Sequence, residues 1–555
     1  MESYIPLIIV GLTLLLAWPL GQYMRWAMEP ATVGDYRNRL EAAAISLLGS
    51  STAKLQTWTQ YCRSMLAFNL LMFVFTYCVL TTQQWLPLNP DGKVNLEPSL
   101  AFNTAASFTS NTNLQHYSGE QSLSYFSQIF ALMWLQFVSA ATGIAAVTAL
   151  SRGLAGKVEI GNFYRDLWRA AGLILLPLAI VFALLLVLCG MPMTWEGAAV
   201  ATTLEGATQT IARGPVAAFV SIKQLGTNGG GFFGPNCTHP FENPTFWSNI
   251  MANIAILLVP MATVWMFGLI TNRLRHAAVI FGVMLTLFIT LVISACVFES
   301  QPPAALADLP VAKSMNLEGK ELRFGSTAGA TWAVSTTATS NGSVNAMHDS
   351  LNPLTGLMPM AGMWLNVVFG GVGVGLINLF LFVITAVFLS GMMVGRTPEY
   401  LMRKVEAKEM KIVLIALLAH PFFILGGTAL FASMSWGLDA LNNPGSHGLS
   451  EIIYEFSSAA ANNGSGFEGL GDDTVPWNIA TGLVMLLGRF IPIIAPLAVV
   501  GSLAAKRATP ETAGTFRTDT WLFGVVLLGT ILIVGALLFL PLAILGPIAE
   551  HLGAG

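Results

Sequence analysis

The sequence contains little charge. Of its 555 residues, 10% are charged and 54% are hydrophobic, whereas soluble domains carry about 25% charged residues. This composition excludes a soluble globular protein and indicates an integral membrane protein. We therefore expect membrane lipid around the chain and no nucleic acid bound to it. The formal net charge of −3 says nothing further about partners.

Cysteine is also scarce, and histidine is dispersed. The five cysteines show no paired spacing and mostly lie in or beside apolar runs, which argues against a disulfide framework or a metal site: Cys62, Cys78, Cys189, Cys237 and Cys296. The seven histidines do not cluster at the spacing of metal ligands, so we assign no role to any of them.

Nucleotide-binding and catalytic signatures are missing. No GxxxxGK[ST] phosphate loop occurs, and the predicted inner loops are too short for a nucleotide-binding domain. We expect no nucleotide on this chain, so transport driven by ATP requires a second chain. A membrane enzyme would need a convergent nucleophile, base or metal cluster. The sequence shows none, and no catalytic residue is predicted.

Long apolar runs dominate what remains. A helix needs roughly 20 residues to cross the hydrocarbon core of a bilayer, which is about 30 Å thick. Ten runs satisfy this length and predict an all-α protein with ten transmembrane helices. They lie near residues 3–20, 65–84, 125–150, 171–189, 248–270, 277–297, 371–393, 412–435, 478–503 and 521–546.

Lysine and arginine concentrate in alternate loops. The loop between the third and fourth runs, for example, contains Arg152, Lys157, Arg165 and Arg169. Because cytoplasmic loops carry an excess of Lys and Arg, this distribution predicts that both termini are extracytoplasmic. The four long loops then also lie outside.

A polar triplet recurs once in each long loop, at nearly constant spacing. Each triplet was aligned on its asparagine. The four are Ser110-Asn111-Thr112, Thr227-Asn228-Gly229, Ser340-Asn341-Gly342 and Asn462-Asn463-Gly464. A single Asn-Gly pair is a common turn, but four equivalent triplets indicate a fourfold repeat. The first triplet ends in Thr112 rather than glycine, so we expect imperfect symmetry there.

A short, modestly apolar stretch precedes every triplet. These stretches, LAFNTAASF, GPVAAFVSI, TWAVSTTAT and IIYEFSSAAA, are too short to span and predict re-entrant helices. Four helix–pore loop–helix units would therefore surround a central pore. The predicted divisions are an N-terminal extra helix and cytoplasmic loop at 1–64, repeats at 65–150, 171–270, 277–393 and 412–503, and a C-terminal extra helix at 504–555.

The triplets suggest a filter for a monovalent cation. Main-chain carbonyls from four strands replace the hydration shell of such an ion, and glycine permits the positive φ that a narrow filter needs. Two other interpretations stay open. The run Gly229–Gly231 is also typical of a flexible turn, and the four loops would equally result from duplication of their helices with no ion between them.

Two further features lie inside predicted spans. The run FGGVGVG contains Gly370, Gly371, Gly373 and Gly375, and follows no strand, which excludes a nucleotide loop. Its glycines either permit close helix packing or unwind the helix as a gate below the filter. Arg489 is a buried charge whose default interpretation is functional. It either repels cations on the ion path or pairs with an unidentified acid, and snorkelling is the structural alternative.

Longer motifs carry a family resemblance over essentially the whole chain. They are LPLNP at 86–90, SYFSQ at 124–128, LGTNGGGFF at 225–233, HPFENP at 239–244, EGKELRFG at 318–325, MHDS at 347–350, FGGVG at 369–373, GRTPEYL at 395–401, HGLSE at 447–451 and GRF at 488–490. With these motifs the chain resembles the potassium-translocating A subunits of the bacterial Kdp complex, a P-type potassium ATPase. Related potassium transporters lack most of them.

The resemblance implies a fold similar to the superfamily of potassium transporters and channels. It assigns potassium-binding roles to the four triplets. It also implies that potassium passes from them through an internal tunnel to a P-type ATPase chain. The partners implied are the subunits B, C and F of the complex, of which B hydrolyses ATP. The location implied is the bacterial inner membrane. This chain would be non-catalytic. The alternative is a stand-alone potassium symporter or channel-like uptake protein.

One position departs from the resemblance. Just before FGGVG an acid is expected in many relatives, and this chain has Asn366. If the acid helps potassium leave the filter chamber, that step differs here or uses another group.

Overall fold

The computed structural model describes residues 4–29, 35, 37, 42, 54–303, 315–395, 397–508 and 516–553. Most of the predicted N-terminal cytoplasmic loop and Arg396 of GRTPEYL lie outside these residues. Ten helices within them are long and apolar enough to cross a membrane, which confirms the predicted number. Spans 1 to 10 are Ile5–Met28, Trp58–Trp85, Ser127–Leu154, Phe163–Leu188, Phe246–Ile270, Leu274–Glu299, Val374–Val394, Ala407–Ala432, Val475–Ala504 and Trp521–Gly553.

Short buried helices precede the four triplets, as predicted. Pore helices 1 to 4 are Pro98–Thr109, Val216–Leu225, Ser326–Ala338 and Gly445–Ala461. Pore helix 1 illustrates how they begin: Pro98 occupies the first turn, and the Glu97 carboxylate accepts hydrogen bonds from the N–H groups of Ser99 and Leu100. Such a cap satisfies donors that a buried helix start would otherwise leave unpaired.

The second span of each unit is more buried than the first. In the most apolar windows of spans 2 and 3, 28% and 78% of the residues are buried; the values are again 28% and 78% for spans 4 and 5. Spans 6 and 7 give 44% and 67%, and spans 8 and 9 give 28% and 50%. The second spans therefore surround the pore helices. Span 1 packs along span 5, and span 10 packs along span 6.

Span 7 differs from the prediction. A separate helix, Pro353–Leu365, comes before it, and residues 366–373 between the two are not helical. We name residues 366–373 the unwound segment. Positive φ angles at Asn366, Phe369, Gly370 and Gly373 break the helix, so the prediction that these glycines unwind it is confirmed. Non-helical backbone is tolerated here because protein buries it.

Strands are few and short in the described residues. Gln56–Thr57 pairs with Glu159–Gly161 between the first two units. Ala199–Thr202 pairs with Thr208–Ile211 as a hairpin in the second long loop, and Glu399–Tyr400 pairs with Arg403–Lys404 after span 7. These short strands lie near the ends of the helices, and the described ones form no separate sheet layer.

Candidate ion filter

The chain turns back sharply after each pore helix, in the same way in all four units. One main-chain N–H per unit donates to the carbonyl oxygen five residues earlier, in the last turns of the helix. The four bonds are Thr112 to Ser107 at 2.9 Å, Asn228 to Lys223 at 2.9 Å, Asn341 to Thr336 at 2.7 Å and Asn463 to Ser458 at 2.9 Å. The donors Thr112, Asn228, Asn341 and Asn463 are therefore structurally equivalent.

This equivalence corrects the sequence alignment of the first triplet. The residues flanking the donors have positive φ in every unit: Asn111 and Asn113, Thr227 and Gly229, Ser340 and Gly342, and Asn462 and Gly464. The first filter segment is thus Asn111–Thr112–Asn113, one residue later than Ser110-Asn111-Thr112. The prediction that Thr112 takes the place of the glycine is therefore wrong. Asn113 takes that place, and asparagine tolerates the left-handed region better than most residues.

The four segments form a closed ring. A Cβ atom on Gly229 would collide with the carbonyl oxygen of Asn341, and one on Gly342 would collide with that of Asn463. Gly464 stands in the same relation to the carbonyl oxygen of Thr112. Unit 2 therefore adjoins unit 3, unit 3 adjoins unit 4, and unit 4 adjoins unit 1.

Units 1 and 2 close the ring by another contact. Gly230 packs against the side chain of Asn113, and the Asn111 side chain donates to the carbonyl oxygen of Thr227 at 2.9 Å. The third residue of the filter segment in units 2 to 4 must therefore be glycine for two reasons. Its φ angle is positive, and the main chain of a neighbouring unit leaves no room for a Cβ atom.

Asparagine side chains join adjacent units. The Nδ2 group of Asn341 donates to the carbonyl oxygen of Lys223 at 3.0 Å, and that of Asn463 donates to the carbonyl oxygen of Thr336 at 2.9 Å. The Asn462 amide reaches Thr112 Oγ1 at 2.9 Å. These amides are committed to neighbouring units, so they stiffen the ring rather than line its centre.

Unlike these side-chain amides, the main-chain carbonyl groups of the four equivalent residues have no hydrogen-bond partner among the described residues. Within the part of the chain that the structure describes, no donor reaches the carbonyl oxygen of Thr112, Asn228, Asn341 or Asn463. All four residues are at most 1% exposed. Buried carbonyl groups normally find a partner, so four unpaired ones at equivalent positions of a ring are suited to binding a cation.

A fully buried ion pair supports the second segment. Lys223 contacts Glu242, and neither side chain is exposed. Lys223 Nζ also donates to Asn236 Oδ1 at 2.6 Å, and Asn236 Nδ2 donates to the carbonyl oxygen of Gly229 at 2.7 Å. This network was not predicted from the sequence. Its signal was a lysine in an apolar pore helix followed by an acid in HPFENP.

The unwound segment lies against the filter. The N–H of Val372 donates to Thr227 Oγ1 at 2.9 Å, and the N–H of Gly370 donates to the carbonyl oxygen of Ala338 at 3.0 Å. Gly371 faces the side chains of Ser340 and Thr227. Val372 and Gly371 therefore tie the second and third filter segments to the helix break.

Close packing accounts for two of the glycines in this run. A Cβ on Gly373 would collide with the main chain of Gly143 in span 3, and one on Gly375 would collide with Gly370. Close packing and the helix break thus each describe part of FGGVGVG, and a gate at this point stays a prediction. Gly370 and Gly371 contact the filter units, and Gly373 and Gly375 permit close approach.

Arg489 lies beside the same segment, near the first unit. It is 2% exposed, and its Nη2 group donates to the carbonyl oxygen of Ser139 at 3.1 Å. Its Nη1 group is 3.7 Å from the position of a Cβ on Gly371. The snorkelling hypothesis is wrong, because the side chain is buried. In the described ranges no carboxylate forms an ion pair with it, so the pairing hypothesis finds no acid.

Asn366 begins the unwound segment and borders a small cavity. Its Oδ1 accepts a hydrogen bond from Ser340 Oγ at 3.2 Å, and its carbonyl oxygen accepts one from Asn378 Nδ2 at 3.1 Å. The cavity of about 40 Å³ is also lined by Trp364 and His420. Asn366 thus connects the third filter segment to a space between spans.

Folding brings two of the histidines, which are dispersed in the sequence, next to acidic side chains. His116 lies beside Glu455 and Asp472 in one cluster, and His447 lies beside Asp349 and Glu451 in another. Sequence spacing gave no signal for either cluster, since 339 residues separate His116 from Glu455.

Known proteins are similar over almost the entire chain. The family described as "KdpA: Potassium-transporting ATPase A subunit" matches residues 7–552. A protein of Geobacillus kaustophilus (strain HTA426), named potassium-transporting ATPase potassium-binding subunit, is 48% identical over 98% of this chain and 97% of its own length. A protein of the same name from Phocaeicola vulgatus is also 48% identical, over 98% of each chain.

A solved structure shows the fold. The crystal structure of the potassium transporter TrkH from Vibrio parahaemolyticus matches with a TM-score of 0.51, over 89% of this chain and 98% of its own. At 14% identity this likeness concerns the fold alone, and it confirms the predicted all-α architecture. The near-complete match at the sequence level decides the family. The chain therefore belongs to the family of potassium-transporting ATPase A subunits.

Proposed function

We propose that this chain binds potassium and translocates it as the non-catalytic subunit of an ATP-driven importer. The observation that carries the proposal is the ring of four unpaired, buried carbonyl oxygens, on Thr112, Asn228, Asn341 and Asn463. Carbonyl dipoles replace the hydration shell of a monovalent cation. Potassium is the ion that the names of the relatives give.

The residues around these carbonyls hold them in place. The residues that flank each of these four residues have positive φ, so successive carbonyl groups point in different directions. The glycines leave room for the filter segment of the neighbouring unit. The asparagine amides fix each strand to the next. A filter built in this way selects by geometry, because its ligands do not shift freely to suit a smaller ion.

Below the filter, the unwound segment and Arg489 would control passage. The segment is tied to two filter units, and the guanidinium group adjoins it without a neutralising acid among the described residues. A positive charge there opposes cations that enter the lower pore. Potassium would thus leave the filter sideways rather than leak straight through.

We propose that the cavity beside Asn366 begins this exit. It opens between the half-helix Pro353–Leu365 and spans 7 to 10. The receiver would be the P-type ATPase itself, the first of the partner subunits B, C and F that complete a Kdp complex in the inner membrane. The long loops and both termini would lie outside, as the distribution of Lys and Arg predicts.

Co-purification tests this proposal. The tagged chain is purified from membranes, and ATP hydrolysis is measured while potassium or sodium is titrated. We expect a co-purified ATPase that potassium stimulates and sodium does not. Transport of potassium by the chain alone in liposomes, with no ATPase attached, would overturn the ATP-driven part and favour a stand-alone symporter or channel.

A further inference from the structure

We propose that His116, Glu455 and Asp472 form a binding site for a divalent transition metal, at the loop-side end of the filter between units 1 and 4. His116 follows the first filter segment by three residues. Glu455 belongs to pore helix 4, and Asp472 lies in the loop after the fourth filter segment. Zn²⁺ is the ion with which we test the site.

The ligand atoms have suitable separations. His116 Nε2 lies 3.3 Å from Glu455 Oε1 and 3.7 Å from Asp472 Oδ2, and all three ligand atoms are within 4.8 Å of one another. Two ligands of a tetrahedral zinc, each about 2.0–2.1 Å from the metal, are separated by roughly 3.3 Å. A metal therefore fits between them after small side-chain movements, with a fourth position open.

The imidazole is oriented for metal binding. Its Nδ1 atom lies 2.7 Å from Asn478 Oδ1. The Asn478 amide nitrogen donates to Ser99 Oγ at 3.1 Å and to Asp473 Oδ1 at 3.3 Å, which fixes the orientation of the amide. The Nδ1 atom must then carry the proton that Asn478 accepts. Without a metal, Nε2 lies 3.3 Å from the Glu455 carboxylate and carries a second proton that it donates there. A metal ion would replace this one proton and bind to Nε2, while Nδ1 keeps its outer-shell acceptor.

The two carboxylates of the cluster carry more negative charge than a protonated His116 alone balances. The Glu455 side chain is 1% exposed, and within the described ranges its carboxylate contacts no Lys or Arg. The same holds for Asp472. Buried carboxylates are costly unless a cation accompanies them. The Asp472 side chain is 23% exposed and gives a metal access from the loop side.

In the second histidine cluster, both ring nitrogens of the histidine are already paired with carboxylates. His447 Nδ1 lies 2.7 Å from Glu550 Oε1, and Nε2 lies 2.9 Å from Asp349 Oδ1. Carboxylates only accept, so both ring nitrogens donate and the imidazolium itself is the cation. Glu451 accepts from the N–H groups of Asn442 and Asn443. Both ring nitrogens of His447 thus pair with carboxylates of different residues, whereas Nδ1 of His116 pairs with a neutral amide and only Nε2 faces carboxylates. His447 therefore supplies the matched control.

Metal binding would connect the filter to its surroundings. The ligands come from units 1 and 4, and Glu455 Oε2 is 3.7 Å from the position of a Cβ on Gly466, two residues past Gly464. A divalent ion also cancels negative charge beside the entrance. On the proposed function, bound zinc should therefore weaken potassium binding, and potassium should weaken zinc binding by the same factor.

The test is equilibrium dialysis of the purified, metal-free full chain, in the complex with which it co-purifies, against buffered Zn²⁺. We expect one tightly bound zinc per chain in the wild type and in His447→Gln. Asp472→Asn and His116→Gln should each weaken this binding at least tenfold. Co²⁺ should give the absorption bands of a tetrahedral site in the wild type, and they should be lost in Asp472→Asn.

Asp472 is partly exposed, and asparagine has the same shape as aspartate, so Asp472→Asn should fold. This variant still tests the site if His116→Gln unfolds. Size-exclusion profiles and the thermal midpoint verify folding of both. The site is refuted if the wild type binds no more zinc than Asp472→Asn does. It is equally refuted if His447→Gln removes the zinc while Asp472→Asn keeps it. Failure of potassium-stimulated hydrolysis would refute the transport proposal and leave the zinc result intact.

Discussion

The α-carbon of Gly229 faces the carbonyl oxygen of Asn341 so closely that a Cβ atom between them would collide with that oxygen. This contact joins the second and third filter segments. It also makes a glycine substitution a direct test of the filter, because the disturbed group is one of the four unpaired carbonyls.

Gly229→Asp should reduce ion selectivity. The substitution places a side chain against the Asn341 carbonyl and strains the backbone at φ +79°, and the carboxylate adds charge beside the ring. We expect at least a tenfold loss of apparent potassium affinity in ATP hydrolysis, about 1.4 kcal/mol. Discrimination of potassium from sodium and rubidium should weaken as well.

Gly206→Asp is the matched control. Gly206 also has positive φ, at +85°, but no atom outside its own neighbourhood lies within 4 Å of its Cβ position. The same substitution there should leave potassium affinity and ion preference unchanged. If Gly229→Asp resembles Gly206→Asp in its ion preference, Gly229 does not belong to the filter.

Removal of Glu242 should destabilise the protein. Glu242→Ala leaves the Lys223 ammonium group buried and unpaired, and breaking a buried pair in this way costs about 3–5 kcal/mol. We expect a clear fall in the thermal midpoint of the purified protein. Potassium affinity should also fall, because Lys223 holds Asn236, which binds the Gly229 carbonyl.

Glu196→Ala provides the comparison for this loss. Glu196 pairs with Arg213 at 2.7 Å, but the side chains are 72% and 34% exposed. Exposed pairs contribute about 0–1 kcal/mol, so this variant should have a nearly unchanged midpoint. A midpoint for Glu242→Ala equal to that of Glu196→Ala would contradict the structural role of the buried pair.

The features that the sequence predicted are those set by residues close together in the chain, and most of the features that were missed depend on residues far apart in it. The ten spans and four pore helices were predicted because hydropathy and segment length are local properties. The half-helix Pro353–Leu365 was missed, since it is too short to resemble a span and no triplet follows it. The glycine-rich break after it was one of two interpretations that the composition allowed, beside close helix packing.

The turns after the four pore helices were located from the sequence, with a shift of one residue in the first unit, and their role as an ion filter stays a prediction. Alignment on asparagine assumed that identical residues occupy equivalent places, whereas Thr112 takes the position of Asn228. Only the hydrogen bond to the pore helix reveals the register. The Lys223–Glu242 pair left a weak signal in the sequence, a lysine in an apolar pore helix. The His116 cluster left none, because its members meet only through tertiary contacts.

Arg489→Met should increase passive potassium flux. The guanidinium group lies beside the unwound segment with no acid in the described ranges to neutralise it. Removing its charge lowers the electrostatic barrier below the filter. We expect faster ATP-independent efflux of ⁸⁶Rb⁺ from proteoliposomes that contain the variant.

Arg489→Lys keeps the positive charge and should restore low flux. Potassium affinity in ATP hydrolysis should change little in either variant, because Arg489 does not contact the four carbonyls. Equal flux in Arg489→Met and the wild type would show that this charge does not limit leakage.

Asn366→Asp should change potassium release rather than potassium binding. Asn366 accepts from Ser340 Oγ and borders the proposed exit, and aspartate tolerates its φ of +48°. A carboxylate there attracts potassium out of the filter. We expect a higher maximal rate of potassium-stimulated hydrolysis, with less than a threefold change in apparent affinity. A change confined to affinity would place Asn366 at the binding site instead.

Protein stability should fall in alkaline solution because of His447. Burial lowers the pKa of His447, but its hydrogen bonds to Asp349 and Glu550 outweigh this effect and raise the pKa to about 10. The unfolded value is about 6.5. A raised pKa stabilises the folded state fully below pH 6.5, and this contribution is lost as the pH rises through 10.

The thermal midpoint of the wild type should therefore decline between pH 6.5 and 10. Glu451 also adjoins this cluster, and burial raises its pKa. Because Glu451 is present in both proteins, the comparison of the wild type with His447→Gln separates its effect from that of His447. His447→Gln lacks the charge at every pH, so its midpoint should be lower at pH 6.5 and should vary less up to pH 10. Parallel pH profiles for the two proteins would show that His447 is not the charged link between the fourth unit and Glu550.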